Sequence, residues 1–186
     1  MQIDAKNGLL LGVSYIPSPN FNARPQGTVI DMVVIHNISL PPNEFGGPYI
    51  SAFFRNQLDH SLHPYFMEIA DKKVSSHCLI RRDGEVIQYV PFSERAWHAG
   101  ISQFAGKDNC NDFSIGIELE GVDTIPYTDI QYRVLAKLIK LLQAQYPAIT
   151  NNRITGHSII APGRKTDPGP AFDWERLNED IRDLIG

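Results

Sequence analysis

The sequence is poor in cysteine and has no long apolar run, and both absences narrow the class of protein. Only two of its 186 residues are cysteine, Cys78 and Cys110, and no CxxC pair occurs. Such usage is expected in a reducing compartment, although two cysteines can also form one disulfide. No apolar stretch reaches the roughly 18 residues that a membrane-spanning helix needs. We therefore expect no membrane partner.

The chain also lacks an excess of positive charge. Its 17 Lys and Arg are outnumbered by 21 Asp and Glu, which gives a formal net charge of −4. Proteins that bind duplex nucleic acid neutralise phosphates with Lys and Arg, so we expect no nucleic-acid partner. The start, MQIDAK, lacks the basic and apolar regions of a secretory signal, which predicts a cytoplasmic protein. No obligatory protein partner is evident either.

The length and the residue patterns predict one domain, residues 1–186, with an α+β fold. Residues 28–36 and 114–120 are predicted strands, and the second alternates between apolar and polar side chains. Asp83-Gly84 lies between two apolar runs and predicts a hairpin turn. A capping box at Thr128 begins the strongest helix pattern, and Asp173 caps a final helix. The expected architecture is a central mixed β-sheet flanked by helices.

Two histidines and one aspartate are candidates for a metal site. His36 and His157 each end a predicted strand, and Asp167 follows in a loop framed by prolines. Two imidazoles and one carboxylate can form a three-ligand zinc site whose fourth position holds water. Zinc lowers the pKa of such a water towards ~7 and polarises a carbonyl group. Isolated histidines at strand ends are more often structural, so their spacing alone leaves both interpretations open.

Glu118 and Lys165 are the candidate catalytic residues. Glu118 lies on the polar face of its predicted strand, where a carboxylate beside a zinc-bound water can pass that water's proton to a leaving amine. A solvated strand face, shared with Glu120, is an equal alternative. Lys165 precedes Asp167 by two residues and can stabilise an oxyanion, unless it is an ordinary exposed lysine.

Two further motifs carry aromatic, imidazole or thiol groups. Trp97-His98-Ala99-Gly100 can line a sugar- or peptide-binding cleft, although an isolated tryptophan is more often part of a core. His77-Cys78 does not form a catalytic pair, because neighbouring residues of a strand point to opposite faces. A buried structural cysteine is the expected alternative.

Together these motifs resemble the zinc-dependent N-acetylmuramoyl-L-alanine amidases, a family related to a phage lysozyme and to the peptidoglycan recognition proteins. The resemblance covers nearly the whole chain, from about Gly12 to Trp174. Within the family it is greatest for the cytoplasmic branch of Gram-negative bacteria that acts on 1,6-anhydro-muropeptides. The segments that carry it occur in the family's order: VIHN at 34–37, SHCLIRRDG at 76–84, AWHAG at 96–100, NDFSIGIELEG at 111–121, TGH at 155–157 and KTDPGP at 165–170.

The resemblance implies a role for each candidate. It implies that His36, His157 and Asp167 hold Zn²⁺, where many relatives have cysteine as the third ligand. It implies that Glu118 is the acid and base and that Lys165 stabilises the transition state. The residues implied to line the substrate cleft are Asn37, Tyr65, Trp97 and His98.

One departure from the family concerns the peptide end of the substrate. Close relatives carry arginines that help to bind the stem peptide where this chain has Lys73 and Asn109. Lysine lacks the bidentate fork that arginine offers a carboxylate, and asparagine lacks the charge. We expect this departure to affect peptide recognition and not the metal chemistry.

The implied reaction is hydrolysis of the amide bond between the lactyl group of 1,6-anhydro-N-acetylmuramic acid and L-alanine. The substrate would be an anhydro-muropeptide from peptidoglycan recycling, and the reaction would indirectly affect β-lactamase regulation. Two alternatives remain, an amidase that acts on intact peptidoglycan and a non-catalytic peptidoglycan-binding module. Because all the implied ligand and catalytic positions are filled here, catalysis is favoured over binding alone.

Overall fold

The computed structural model of the chain describes residues 1–184, so the last two residues of the predicted domain lie outside the description. Its strands are β1 (Gln2–Asp4), β2 (Leu9–Leu11), β3 (Ser14–Tyr15), β4 (Phe21–Asn22), β5 (Met32–Ile38), β6 (Cys78–Ile80), β7 (Val86–Gln88), β8 (Arg95–Ala96), β9 (Gln103–Phe104), β10 (Lys107–Asp108), β11 (Ser114–Glu120) and β12 (Ile154–Gly156). Its α-helices are α1 (Tyr49–Phe54), α2 (Pro64–Glu68), α3 (Asp129–Gln145), α4 (His157–Ile160) and α5 (Trp174–Asp183). None of the helices within residues 1–184 combines the length and the apolar character needed to cross a membrane.

Six strands form the central sheet in the order β12-β5-β11-β6-β7-β3. The pairs of β5 with β11 and β12 are parallel, and so are those of β11 with β6 and of β7 with β3. The β6–β7 pair is antiparallel, which confirms the predicted hairpin around Asp83-Gly84. The α+β prediction of a mixed sheet flanked by helices is therefore correct.

The long central strand β5 differs from its prediction at both ends. Residues 28–36 were expected to form it, whereas the strand runs from Met32 to Ile38. Its partner β11 explains the shift, because Ser114 pairs with Met32 and Glu120 pairs with Ile38. Backbone hydrogen bonds to a partner define a strand, so β5 begins and ends where β11 does.

The two faces of this sheet are packed differently. Val33, Ile35 and Ile117 point to one side, where they belong to a large apolar cluster that includes α3 and α5. The capping box at Thr128 and the Asp173 cap begin these helices as predicted. The opposite side carries the alternate residues of β5 and β11, among them His36 and Glu118, and both are buried. The polar face of β11 is therefore not a solvated surface.

Candidate metal centre and active site

The register of the sheet places His36 beside Glu118. The two residues are direct partners in the parallel pair of β5 and β11, so their side chains leave the same face of the sheet. On the other flank of β5, Gly156 of β12 pairs with Ile35, and His157 is the next residue. The carboxyl ends of three adjacent parallel strands thus bring two imidazoles and one carboxyl group to one place.

The loop that carries Asp167 is tied to this sheet edge by hydrogen bonds. The backbone N–H of Ser158 donates to the Asp167 carbonyl over 2.9 Å. The Pro168 carbonyl accepts from the side-chain amide of Asn37 at 3.1 Å and from the Tyr127 hydroxyl at 2.8 Å. A Cβ on Gly156 would lie 2.8 Å from Pro168 Cδ, so only glycine permits this close approach.

The three predicted ligands converge on one point. The distance between His36 Nδ1 and His157 Nδ1 is 3.0 Å. Asp167 Oδ2 lies 3.1 Å from the first of these nitrogens and 3.0 Å from the second. Each residue thus offers one ligand atom to a compact group, as a three-ligand metal site requires.

The hydrogen bonds outside the cluster show that these residues fit a cation. His157 Nε2 lies 3.1 Å from the carbonyl oxygen of Ala99, which can only accept, so the proton of a neutral ring is on Nε2. The Nδ1 lone pair then faces the Asp167 carboxylate and His36 with no proton between them. A cation removes the repulsion among such groups, and two imidazole nitrogens with one carboxylate oxygen suit zinc.

The acid–base equilibria of two of these ligands favour metal binding. Burial lowers the pKa of His36 to about 4, so its imidazole is neutral near pH 7. Burial alone would raise the pKa of Asp167, but the two imidazoles beside its carboxylate, those of His157 and His36, outweigh burial and hold that pKa below its usual value. A neutral imidazole and an ionised carboxylate are the forms that bind metals.

Glu118 and Glu120 lie on the same face of β11 but differ in the hydrogen-bond partners of their carboxyl groups. Glu118 Oε2 is buried and has no hydrogen-bond partner within residues 1–184. Burial and the charge of Asp167 raise the pKa of Glu118 well above its usual value, against the opposing effect of Lys165. Glu120 Oε1 is paired with Arg81 at 3.3 Å and accepts from the backbone N–H of Gly46 at 2.7 Å, and Glu120 Oε2 accepts from the backbone N–H of Arg82 at 3.1 Å. Of the two, only Glu118 has a carboxyl oxygen left for a ligand.

A cavity of about 650 Å³ opens over the cluster and over Glu118. Its lining includes Lys165, which is exposed in the loop before Asp167, and Lys73. Asn109 is exposed but does not line the cavity. A concave site that combines apolar walls with a few polar groups is the usual form of a small-molecule site.

The four residues expected in the substrate cleft all line this cavity. The polar groups of Asn37 and His98, however, already have hydrogen-bond partners within the protein. The Asn37 amide donates to Asp123 and Tyr127 as well as to Pro168. His98 is 8% exposed, and both of its ring nitrogens have protein partners. Tyr65 and Trp97 are half-buried, and the Trp97 indole N–H donates to Asn22 Oδ1 over 2.7 Å.

Asn111 and Arg164, to which the sequence alone assigned no role, hold the segment behind the cluster. Asn111 Oδ1 accepts from the backbone N–H groups of His98 and Ala99 at 3.0 and 2.8 Å. The Arg164 guanidinium donates to the Ala99 carbonyl over 2.6 Å. Neither residue stands in a pattern that indicates such a role, because the contacts arise only from the tertiary fold.

Comparison with known proteins gives consistent matches over most of the chain. The family model described as "N-acetylmuramoyl-L-alanine amidase" matches residues 26–170. The protein named 1,6-anhydro-N-acetylmuramyl-L-alanine amidase AmpD from Salmonella typhimurium is 59% identical over 170 residues, which cover 91% of this chain and 90% of that protein. The protein of the same name from Escherichia coli is 58% identical over 172 residues, covering 92% and 93%.

Solved structures agree with these matches. A crystal structure of a selenomethionine derivative of AmpD superposes with a TM-score of 0.94 at 55% identity, covering 97% of this chain and 99% of that one. The amidase AmiD from E. coli, solved with the substrate anhydro-N-acetylmuramic acid-L-Ala-D-γ-Glu-L-Lys, gives a TM-score of 0.59 at 32% identity and covers 84% and 60%. The span of the family model, residues 26–170, includes His36, His157 and Asp167.

Proposed function

The chain belongs to the N-acetylmuramoyl-L-alanine amidase family and is a hydrolase, and we propose that it is a zinc-dependent amidase of anhydro-muropeptides. The scissile bond is the amide between the lactyl group of 1,6-anhydro-N-acetylmuramic acid and L-alanine. The observation that carries the proposal is the convergence of two imidazoles and one carboxylate beside the unpartnered carboxyl group of Glu118. The names of relatives that are 58–59% identical support the anhydro-sugar as the substrate class.

In this proposal His36, His157 and Asp167 hold the zinc ion. When bound there, zinc would polarise the scissile carbonyl group and lower the pKa of a water molecule. The supporting observations are the short distances among the three ligand atoms and the neutral state of the His36 ring. The three ligands come from different loops and strands of a rigid sheet edge, so the fold prepares their geometry before the substrate arrives.

Glu118 moves the proton in the proposed reaction. It takes a proton from the attacking water and gives it to the amide nitrogen as the carbon–nitrogen bond breaks. The hydroxyl group from water stays on the carbonyl carbon, and L-alanine leaves with a free amino group. The raised pKa of Glu118 makes its carboxylate a stronger base towards the proton of water, and the carboxyl group formed in that step then donates to nitrogen.

Lys165 provides positive charge near the reacting carbonyl oxygen. Its side chain lines the same cavity as Glu118, and its charge acts on the pKa values of Glu118 and His36. A cation placed where negative charge develops stabilises the transition state more than the ground state. Trp97 and Tyr65 give the cavity aromatic walls that suit sugar and peptide groups.

The proposal extends to the setting of the reaction. We place a single amidase domain, residues 1–186, in the cytoplasm, where it acts in peptidoglycan recycling. Cys78 and Cys110 are both free and buried, in agreement with a reducing compartment. Loss of the enzyme would raise β-lactamase expression in a host whose induction responds to cytoplasmic muropeptides. Comparing β-lactamase activity in a deletion strain and its complemented form tests this extension.

Digestion of a purified anhydro-muropeptide tests the proposed function directly. The expected result is release of the peptide with a new L-alanine amino terminus, lost on treatment with a chelator and restored by added zinc. Intact sacculi and a muropeptide with a reduced sugar serve as comparison substrates. Faster release from sacculi would instead identify a lysin-like amidase. Turnover that is insensitive to the chelator would contradict the zinc mechanism, and substrate binding with no turnover would identify a binding module.

A further inference from the structure

A chain of hydrogen bonds leads from the metal cluster into the interior of the protein. His36 Nε2, the ring nitrogen that points away from the cluster, lies 2.9 Å from His98 Nδ1. On the other side of the same ring, His98 Nε2 lies 3.1 Å from the Ser114 hydroxyl oxygen. That hydroxyl in turn bonds to the backbone carbonyl of Cys110. All four residues are buried, so solvent does not compete for these bonds.

The Cys110 carbonyl, at the end of this series of hydrogen bonds, fixes the direction of every bond in the series. The Cys110 carbonyl can only accept, so the Ser114 hydroxyl donates its hydrogen there. The Ser114 oxygen therefore accepts from His98 Nε2–H. A neutral His98 then has a lone pair on Nδ1, which accepts from His36 Nε2–H. With its proton on Nε2, the neutral His36 ring presents the Nδ1 lone pair to His157 and Asp167.

The position of the His98 ring is itself held on two sides. Its backbone N–H donates to Asn111 Oδ1 over 3.0 Å. The ring lies against the backbone of β11, where a Cβ added at Gly116 would be 2.4 Å from His98 Cγ. A residue with both ring nitrogens bonded inside the protein has little capacity left to hydrogen-bond a substrate.

From this geometry we propose that His98 is a positioning residue for zinc. It orients the His36 ring and holds it in the tautomer whose Nδ1 can bind the metal. The Ala99 carbonyl does the same for His157, so adjacent residues of one segment set both imidazole ligands. Partners of this kind outside the ligand shell raise metal affinity by fixing the ring and its tautomer. The inference rests on the proposed function, because it presupposes zinc at the cluster.

Two substitutions of similar size separate this role from a merely structural one. The side-chain oxygen of His98→Asn can occupy the place of Nδ1 and still accept from His36. The amide of His98→Gln reaches instead to the place of Nε2, beside Ser114, and leaves His36 Nε2–H without its acceptor. Zinc affinity of the purified proteins is measured without substrate, by competition with a chromophoric chelator. Far-ultraviolet circular dichroism of each metal-free variant checks that it is folded.

We expect His98→Asn to bind zinc nearly as tightly as the wild-type protein. His98→Gln should lose roughly 10- to 100-fold in affinity, the usual effect of removing such a partner. Equal affinities for the two variants would overturn the proposal, and so would a rise in KM for both with unchanged zinc affinity, which would identify a substrate contact. Failure of the wild-type chain to bind zinc would instead refute the proposed function.

Nitrogen-15 NMR of the zinc-loaded wild-type protein gives an independent readout of the tautomers. We expect a proton on Nε2 of both His36 and His98 and none on Nδ1 of either ring. A proton on His98 Nδ1 would overturn the proposal, because that nitrogen could not then accept from His36.

Discussion

The two faces of the central sheet share one backbone but differ in their side chains: one face is an apolar core, and the other carries buried polar groups of the candidate site. On the side of α3 and α5, Val33, Ile35 and Ile117 bury apolar surface, and their contribution to stability grows with the area removed from water. On the opposite side, Ser114 and Glu118 of β11 are buried polar groups. Burial costs free energy there unless each polar atom finds a partner.

The hydrogen-bond partners of these polar atoms distinguish the residues of the candidate site from the residues that stabilise the sheet around it. The Ser114 hydroxyl and both carboxyl oxygens of Glu120 have hydrogen-bond partners within the protein. Glu118 Oε2 has none within residues 1–184, and three ligand atoms face one another without a proton between them. An unsatisfied carboxyl oxygen on a strand whose other polar side chains are satisfied marks a place that a ligand can complete. The comparison thus separates positions that stabilise the fold from positions that serve the chemistry.

The largest effect on turnover should come from removing a ligand. We expect His157→Ala to lose both bound zinc and amidase activity, because two donors do not replace the three that converge here. Zinc content per folded molecule and muropeptide turnover measure the two effects. His60→Ala, which removes an imidazole outside the cluster, should retain both. A His157→Ala protein with full zinc and full activity would show that the metal is held elsewhere.

The next largest effect on turnover should come from Glu118, and the second buried glutamate of β11, Glu120, provides the comparison. Glu118→Gln should retain zinc but lose a factor of about 10²–10⁴ in kcat, because an amide cannot transfer the proton. Glu120→Gln should keep its kcat and lose stability instead, since it weakens the pair with Arg81. Steady-state kinetics and urea unfolding of both variants separate these outcomes. Wild-type kcat in Glu118→Gln would remove this residue from the mechanism.

Lys165 should have a smaller effect on turnover. Replacing it by methionine keeps the length of the side chain and removes the charge, so kcat should fall by about 10²–10³ with zinc affinity retained. Lys165→Arg serves as the control because it preserves the charge. A rise in KM at unchanged kcat would instead place Lys165 in substrate binding.

The fold was predictable where local chemistry decides it. The alternation of β11, the Asp83-Gly84 turn and the Thr128 capping box are all local patterns, and all three elements form as expected. The bounds of β5 were not predictable, because they depend on the length of β11, which lies far away in sequence. Strand pairing is a property of the tertiary structure, which a local pattern cannot contain.

The candidate site was predictable in its residue types but not in its supporting bonds. His36, His157 and Asp167 were identified from strand ends, a proline-framed loop and a family resemblance, and the fold brings them together. The burial of Glu118 was not predictable, because alternation fixes a side chain's face and not what covers it. The roles of Asn111 and of the Ala99 carbonyl depend on contacts across the fold.

The smallest effect on turnover should come from a substitution on the apolar face of the sheet, which lowers the free energy of unfolding but leaves kcat unchanged. Leu138 is fully buried in α3, so Leu138→Ala should cost about 2–5 kcal/mol of unfolding free energy. Its kcat and zinc affinity should equal those of the wild-type protein at a temperature where the variant is folded, since Leu138 packs on the side of the sheet opposite to His36 and Glu118. Urea unfolding and kinetics at that temperature test both statements. A tenfold loss of zinc affinity in the folded variant would show that the two faces are coupled through the sheet, and the separation drawn between them would be wrong.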